Sequence, residues 1–137
     1  MSTRSRIAIE NQDGTVTSIY CHFDGYLSHN GEILQNHFQD REKVEQLIAL
    51  GDISSLTPNL NPTGKHTFDN PEPGITVAYH RDRREHLNQN HHKDVEEFFV
   101  DNMQEYGYLF TKDNKWLVSK FGPISNLSVA LEGHDVL

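Results

Sequence analysis

The sequence predicts an α+β domain with a mostly antiparallel sheet, made of two hairpins and a lone strand and packed with two or three helices. Two stretches rich in β-branched and aromatic residues each surround a turn dipeptide, Asp13-Gly14 and Asp113-Asn114. Between them, apolar residues recur at helical spacing. With 137 residues, of which 35% are hydrophobic, the chain suits one globular domain that spans residues 1–137.

The first hairpin is expected to pair two strands across Asp13-Gly14. With a two-residue turn, Ile7 lies opposite Tyr20, so that both side chains share one face of the sheet. A bulge at the turn would shift the register by one residue and exchange the faces. The second hairpin is expected to pair residues 106–111 with residues 115–121 in the same manner.

The helices are predicted from apolar spacing and from capping residues. Asp40 is the expected N-cap of one of them, and Gly51 is its expected stop. The other expected elements are helices at residues 31–38 and 94–103, a short helical turn at 52–56, a buried strand at 75–80 and a closing segment at 127–131.

Residues 57–74 are predicted to form a long loop, which contains the prolines at positions 58, 62, 71 and 73. A loop of this length in a compact domain is usually a binding loop or lid, or else disordered. The sequence leaves both interpretations open. The polar stretch that includes His91-His92 is most simply a solvated loop.

The formal charge of −8 at pH 7 argues against generic nucleic-acid binding, because polyanions are repelled at long range. No stretch approaches the roughly 18 apolar residues that a membrane-spanning helix needs, and the first residues do not resemble a secretion signal. The single cysteine, Cys21, excludes an intrachain disulfide and fits a reducing compartment. These features together predict a cytoplasmic protein without membrane contact.

Two polar-aromatic clusters at strand ends are the candidate site. They are YCHFDGY at 20–26, with a further histidine and asparagine just beyond, and YHRDR at 79–83. Arginine suits bidentate capture of phosphate, and tyrosine can stack on a base, so the clusters predict a pocket for a nucleotide-type ligand. The predicted ligand-binding residues are Arg4, Arg6, Tyr20, His22, Asp24, Tyr26, His29, Asn30, Tyr79, His80, Arg81 and Arg83.

Other chemistry in these clusters is less well supported. His22, Asp24 and His29 offer metal ligands, but their spacing matches no established zinc pattern. Cys21 and His22 are adjacent in a strand and point to opposite faces, which favours a buried structural thiol over a nucleophile. The arginines can also pair with surface carboxylates, which requires no function. No catalytic residue, metal or cofactor is therefore predicted.

Several short motifs run through most of the chain: SRI at 5–7, DG at 13–14, SIYCHFDGY at 18–26, HNG at 29–31, LIALGDISSL at 47–56, AYHRDR at 78–83 and YGYLF at 106–110. With these motifs the chain resembles a family of small accessory proteins found in bacteriophage genomes. Members of that family often have glycine after the second arginine of the His-Arg-Asp-Arg run, where this chain has Arg84.

The resemblance implies a phage accessory protein made in the bacterial host cytoplasm, and such proteins frequently counter host immunity. It supplies no catalytic residues. The leading hypothesis is a binder that sequesters a small nucleotide-derived signal of host defence. A small phosphodiesterase or hydrolase using His and Asp, and an inhibitor that binds a host defence protein directly, are the alternatives. A homo-oligomer is compatible with each of them.

Overall fold

The structure is a computed structural model that describes residues 3–102, 106–120 and 123–136. The residues in these ranges form a mixed sheet of eight strands at the centre of the structure. The strands are β1 (Ser5–Glu10), β2 (Val16–Cys21), β3 (Ile53–Ser55), β4 (Val77–Ala78), β5 (Asn90–His92), β6 (Tyr106–Phe110), β7 (Trp116–Lys120) and β8 (Ile124–Asn126).

The described residues also form α-helices and one π-helical turn, Leu27–Gly31, which leads directly into the first helix. The helices are α1 (Glu32–His37), α2 (Arg41–Ala49), α3 (Tyr79–Arg83), α4 (Val95–Asp101) and α5 (Leu127–Val136).

The strands are ordered β4-β3-β2-β1-β6-β7-β8, and β5 pairs with the first half of β2. β1 runs parallel to β6 and β2 runs parallel to β3, whereas the other pairs of described strands are antiparallel. The predicted α+β class is confirmed, but the sheet is mixed and larger than two hairpins and one strand. The hairpins join where Ser5 lies beside Tyr106, a contact between distant segments that no local sequence pattern signals.

Helices α1, α2 and α5 cover one face of the sheet. Their buried side chains, among them Leu34, Leu47 and Leu127, pack on strand residues such as Ile7 and Ile19. All five side chains are fully buried, and burial of each contributes on the order of 2 kcal/mol to stability. This face holds the main hydrophobic core.

Helix α4 packs on the opposite face of the sheet. Its Phe98 forms a second, smaller cluster with Ala8, Val16 and Leu109. The strand ends beyond that cluster, which carry side chains such as Arg6, are partly exposed.

Both hairpins turn through three residues instead of the predicted two. In the first, Gly14 has φ +89° and takes the left-handed position of a three-residue loop, which glycine adopts without strain. Ile7 therefore pairs with Ile19, and Arg6 pairs with Tyr20. The predicted register was wrong by one residue, so Tyr20 and Ile7 lie on opposite faces. The second hairpin, where an asparagine takes the left-handed position, shows the same shift.

The segment predicted as a helical turn, residues 52–56, contains strand β3 instead. The backbone N–H groups of His22 and Phe23 donate to the carbonyls of Ile53 and Ser54 at 3.2 and 2.9 Å. Pairing with the end of β2 thus outweighs the local preference for helix. Strand β5 was missed for a similar reason, because its three residues become a strand through pairing with β2.

The strand predicted at residues 75–80 is shorter than expected, because the chain enters helix α3 at Tyr79. The Asp82 carboxylate accepts a hydrogen bond from the Ala78 N–H at 2.8 Å and so satisfies a donor at the start of this helix. The helix ends at Arg84, which has φ +59°. Arg84 thus occupies a left-handed position in which glycine would be less strained.

The predicted limits of α2 are confirmed. The Asp40 carboxylate accepts from the N–H of Glu42 at 3.2 Å, and Gly51 follows the helix with φ +74°. For α4, Asp94 is the cap and accepts from the N–H of Glu97 at 2.8 Å. The helix predicted at 94–103 was expected to end at residue 103, and the strand predicted at 115–121 at residue 121. Both of these residues lie outside the described part of the chain.

A buried polar group, which we call the polar knot, links the central strands to the turn after β2. It consists of Ser5, Cys21, Gly25, Asn30 and Tyr108. The Tyr108 hydroxyl donates to the Gly25 carbonyl at 2.7 Å, and the Asn30 amide donates to Ser5 Oγ and Cys21 Sγ at 3.3 Å each. A Cβ on Gly25 would lie 2.8 Å from the Ser5 Cβ, so no larger residue fits without a backbone shift.

Replacement of Tyr108 by Phe tests the polar knot. The change leaves the Gly25 carbonyl without its buried donor, and we expect the free energy of unfolding to fall by about 1–3 kcal/mol. Tyr26→Phe, which removes a hydroxyl from an exposed side chain, is the matched control and should change it by less than about 0.5 kcal/mol. Urea unfolding followed by circular dichroism measures both values, and equal values would contradict the proposed role.

Candidate functional site

The part of the sheet that α4 leaves partly exposed carries several of the predicted site residues. We call this surface the open face. Arg4 and Arg6 lie on β1 or just before it, Tyr20 lies opposite Arg6 on β2, and each is at least partly accessible to solvent. The open face consists of Arg4, Arg6, Tyr20, His22, Asp52, Tyr79 and Asn90.

Tyr20 and His22 lie side by side on the open face. The Tyr20 hydroxyl lies 2.8 Å from Nδ1 of His22, and Phe23 packs edge-on against the His22 ring at 4.5 Å between ring centres. Burial raises the pKa of Tyr20, and the charge of nearby Arg4 partly offsets this effect. The hydroxyl therefore stays protonated at neutral pH and is available as a hydrogen-bonding group.

Asp52 is part of the open face although no motif in the sequence marked it as a site residue. Its Oδ1 accepts from the backbone N–H of Tyr20 at 2.9 Å. Burial raises the pKa of Asp52, while the Tyr20 N–H and the charge of Arg6 act in the opposite direction. When the Asn90 amide oxygen is oriented towards Arg6, it accepts from both terminal guanidinium nitrogens, at 2.9 and 2.5 Å.

Tyr79 brings the second predicted cluster to the same surface. Its backbone N–H donates to the carbonyl of Asp52 at 3.2 Å, the residue whose carboxylate accepts from the N–H of Tyr20. Phe68, from the proline-rich loop, packs against Tyr79, and the Arg83 guanidinium lies 4.1 Å from the centre of the Phe68 ring. Two segments distant in sequence thus meet at Asp52.

Arg81 faces inward and holds the proline-rich loop. It donates to the carbonyls of Leu60 and Thr76 and to the Asp82 carboxylate. Nε2 of His66, also from the loop, lies 2.9 Å from Oδ2 of Asp82, and both side chains are almost fully buried. The loop at residues 57–74 is therefore tied to α3 by a buried cluster of charged and polar groups.

The remaining predicted site residues lie away from the open face or in the core. Asn30 is fully buried in the polar knot. His29 Nε2 lies 3.3 Å from the Leu56 carbonyl, and His80 Nδ1 lies 2.7 Å from the Glu85 carbonyl. Asp24, with φ +58°, and Tyr26 shape the turn that precedes the π-helical segment, and Asp24 raises the pKa of Tyr26 by its negative charge.

A groove of about 630 Å³ lies between α2 and the proline-rich loop. Its walls include the carboxylates of Asp40, Glu42 and Glu72, and Lys43 is the one cation among the described residues that line it. An anionic ligand would be repelled there, so this groove does not fit the phosphate chemistry predicted for the site.

Comparison of the chain with protein-family models, with curated proteins and with solved structures finds no match. Within the described residues, no helix is both long enough and apolar enough to cross a membrane.

The Cys21 thiol should be chemically inert in the native protein. Cys21 is fully buried, and burial raises its pKa to about 11, so the reactive thiolate is scarce at pH 8. We expect iodoacetamide to label it rapidly in urea but at least about 100-fold more slowly without denaturant, as measured by mass spectrometry. Labelling of the native protein at the unfolded rate would contradict this assignment.

Replacement of Asp82 by Asn tests the cluster that holds the loop. Burial alone would raise the pKa of Asp82, but hydrogen bonds from Arg81, Ala78 and His66 outweigh it and lower that pKa. The stabilisation is complete above the unfolded pKa of about 3.9 and is lost as pH falls through the lower native pKa. We expect Asp82→Asn to lose about 2 kcal/mol at pH 7.

The pH dependence separates this loss from a general destabilisation. Between pH 5 and pH 3 the unfolding free energy of Asp82→Asn should fall less steeply than that of the wild type, because the titrating carboxylate is gone. Asp69→Asn, a change at an exposed loop position, should behave like the wild type. Parallel slopes for Asp82→Asn and wild type would contradict the role assigned to the cluster.

Proposed function

We propose that this protein binds a phosphorylated aromatic ligand of the nucleotide type on the open face and does not turn it over. The observation that carries the proposal is that the segments of Tyr20 and Tyr79 both contact Asp52, beside Arg6 of the adjacent strand. Tyrosine rings offer a stacking surface for a base, and guanidinium groups suit phosphate oxygens. Side chains from separate segments thereby provide both halves of nucleotide recognition.

The balance of charge also supports binding of an anion at this location. The chain carries a formal charge of −8, so an anionic ligand needs a local concentration of arginine to overcome repulsion. Arg4 is exposed and Arg6 is partly buried, which leaves Arg4 accessible for a phosphate group. Asp52 and Asn90, beside them, offer the acceptors and donors that could recognise the polar edge of a base.

Binding without turnover agrees with the contacts of the groups that a hydrolase would use. A general base must reach its substrate with a free ring nitrogen. Asp82, which could orient or serve as such a base, accepts from Arg81 and from a backbone N–H. The His66 ring next to Asp82 accepts from the Glu72 N–H on its other nitrogen. These contacts favour structural roles for these residues.

In the setting implied by the resemblance to phage accessory proteins, the ligand would be a nucleotide signal of host defence. A protein that holds such a signal tightly lowers its free concentration in the host cytoplasm without any catalytic step. A protein that sequesters a nucleotide in this way needs an accessible binding surface and no catalytic residues. The open face meets this requirement.

Titration calorimetry with cyclic dinucleotides, cyclic oligonucleotides and ADP-ribose-type compounds tests the proposal. We expect at least one of these compounds to bind, and Arg4→Gln to weaken its binding about 10-fold or more, because a charge-assisted hydrogen bond to the ligand is lost. Lys115→Gln removes the same charge from an exposed turn at the other end of the sheet and is the matched control. It should leave the affinity unchanged.

The fate of the ligand separates the alternatives. After incubation and denaturation, chromatography should recover the bound nucleotide intact. Recovery of a hydrolysis product would overturn the proposal in favour of a phosphodiesterase. A protein that binds none of the compounds but copurifies with a host protein at fixed stoichiometry would overturn it in favour of a direct inhibitor.

A further inference from the structure

We propose that His92, Glu97 and Asp101 form a binding site for one divalent transition-metal ion of the zinc type. The three side chains can each present one ligand atom, and these atoms lie within 4.8 Å of one another. The residues come from β5 and α4, outside the open face and outside the segments to which the sequence assigned a site. The inference does not depend on the proposed nucleotide binding.

The secondary structure brings the three ligands together. Glu97 and Asp101 are four residues apart on α4 and therefore project from the same side of that helix. His92 is the last residue of β5, and the short link to α4, capped by Asp94, returns the helix alongside it. The Glu97 carboxylate also accepts from the Lys93 N–H at 3.2 Å, which holds it near His92.

The imidazole of His92 is oriented as a metal ligand commonly is. Its Nε2 lies 2.9 Å from the hydroxyl of buried Ser18, and its ring packs edge-on against Phe98 with the ring centres 5.3 Å apart. A hydrogen bond on one ring nitrogen typically fixes the tautomer and the direction of the other in metal sites. Here the other nitrogen, Nδ1, faces the carboxylate of Asp101.

The distances suit a shared cation better than a direct contact. Nδ1 of His92 lies 3.7 Å from Oδ2 of Asp101, and the His92 side chain is 8% exposed. This separation exceeds that of a hydrogen bond, yet it is close to the roughly 3.4 Å that separates two ligand atoms of a tetrahedral zinc ion when each lies about 2.1 Å from it. Asp101 is 54% exposed, so rotation of its side chain can close the wider separations in the group.

The set of ligands indicates the class of metal. One imidazole with two carboxylates suits zinc and neighbouring transition metals, whereas Mg²⁺ and Ca²⁺ prefer sites made of oxygen atoms. The cation would offset two negative charges on a chain that already carries an excess of them. Because Asn90 on the same strand contacts Arg6, the bound ion would also fix β5 beside the open face.

To test the site, the full chain is prepared free of metal and titrated with Zn²⁺ in a calorimeter. We expect one ion per chain, and Mg²⁺ to give no saturable binding. Glu97→Gln and Asp101→Asn should each weaken Zn²⁺ binding about 10-fold or more. Their matched controls, Glu96→Gln and His91→Ala, alter exposed neighbours and should leave the affinity unchanged.

The Glu97 and Asp101 variants are used to test the site instead of a His92 variant. His92 also contacts Ser18 and Phe98, so its removal can destabilise the fold. Circular dichroism confirms that the variants are folded, and Zn²⁺ should raise the melting temperature of the wild type but not that of Glu97→Gln. Absence of stoichiometric Zn²⁺ binding by the folded wild type would overturn the proposal. A loss of affinity in His91→Ala equal to that in Glu97→Gln would do the same, because it indicates adventitious binding to surface histidines.

Discussion

The hydrogen bond from the buried Tyr108 hydroxyl to the Gly25 carbonyl joins strand β6 to the turn after β2. Both groups lie in an interior where an unpaired polar atom costs free energy, so the bond restricts the turn to one position. Gly25 also touches Ser5 of β1 too closely for any side chain. The three central strands are thereby aligned with one another, and the helical segment that starts at Leu27 is directed over the core.

This alignment determines what the open face displays. Because the first hairpin turns through three residues, Cys21 points into the core and Tyr20 and His22 point away from it. The polar run from 20 to 26 therefore has two roles. Cys21 and Gly25 belong to the polar knot, whereas Tyr20 and His22 belong to the open face. Tyr79 completes that surface because the Asp82 carboxylate at the start of α3 turns the chain beside β3.

Local patterns in the sequence identified the α+β class, both hairpins and the capped helix α2, because these depend on neighbouring residues. The pairing of β1 with β6 depends on distant segments and could not be read locally. Of the predicted site, Arg6, Tyr20, His22 and Tyr79 do share a surface. Arg81 and Asn30 looked equivalent in sequence but are held by buried hydrogen bonds, since the side of the chain they face is set by tertiary packing.

We propose that three separate segments form a single anion-binding surface. An NMR titration with inorganic pyrophosphate, which follows backbone amide shifts, tests it most directly. We expect the amides of Arg6, Tyr20 and Tyr79 to shift together along one saturable binding curve, while that of Lys115 stays unchanged. Shifts confined to one of these segments, or greatest around Lys43 in the groove beside α2, would contradict it.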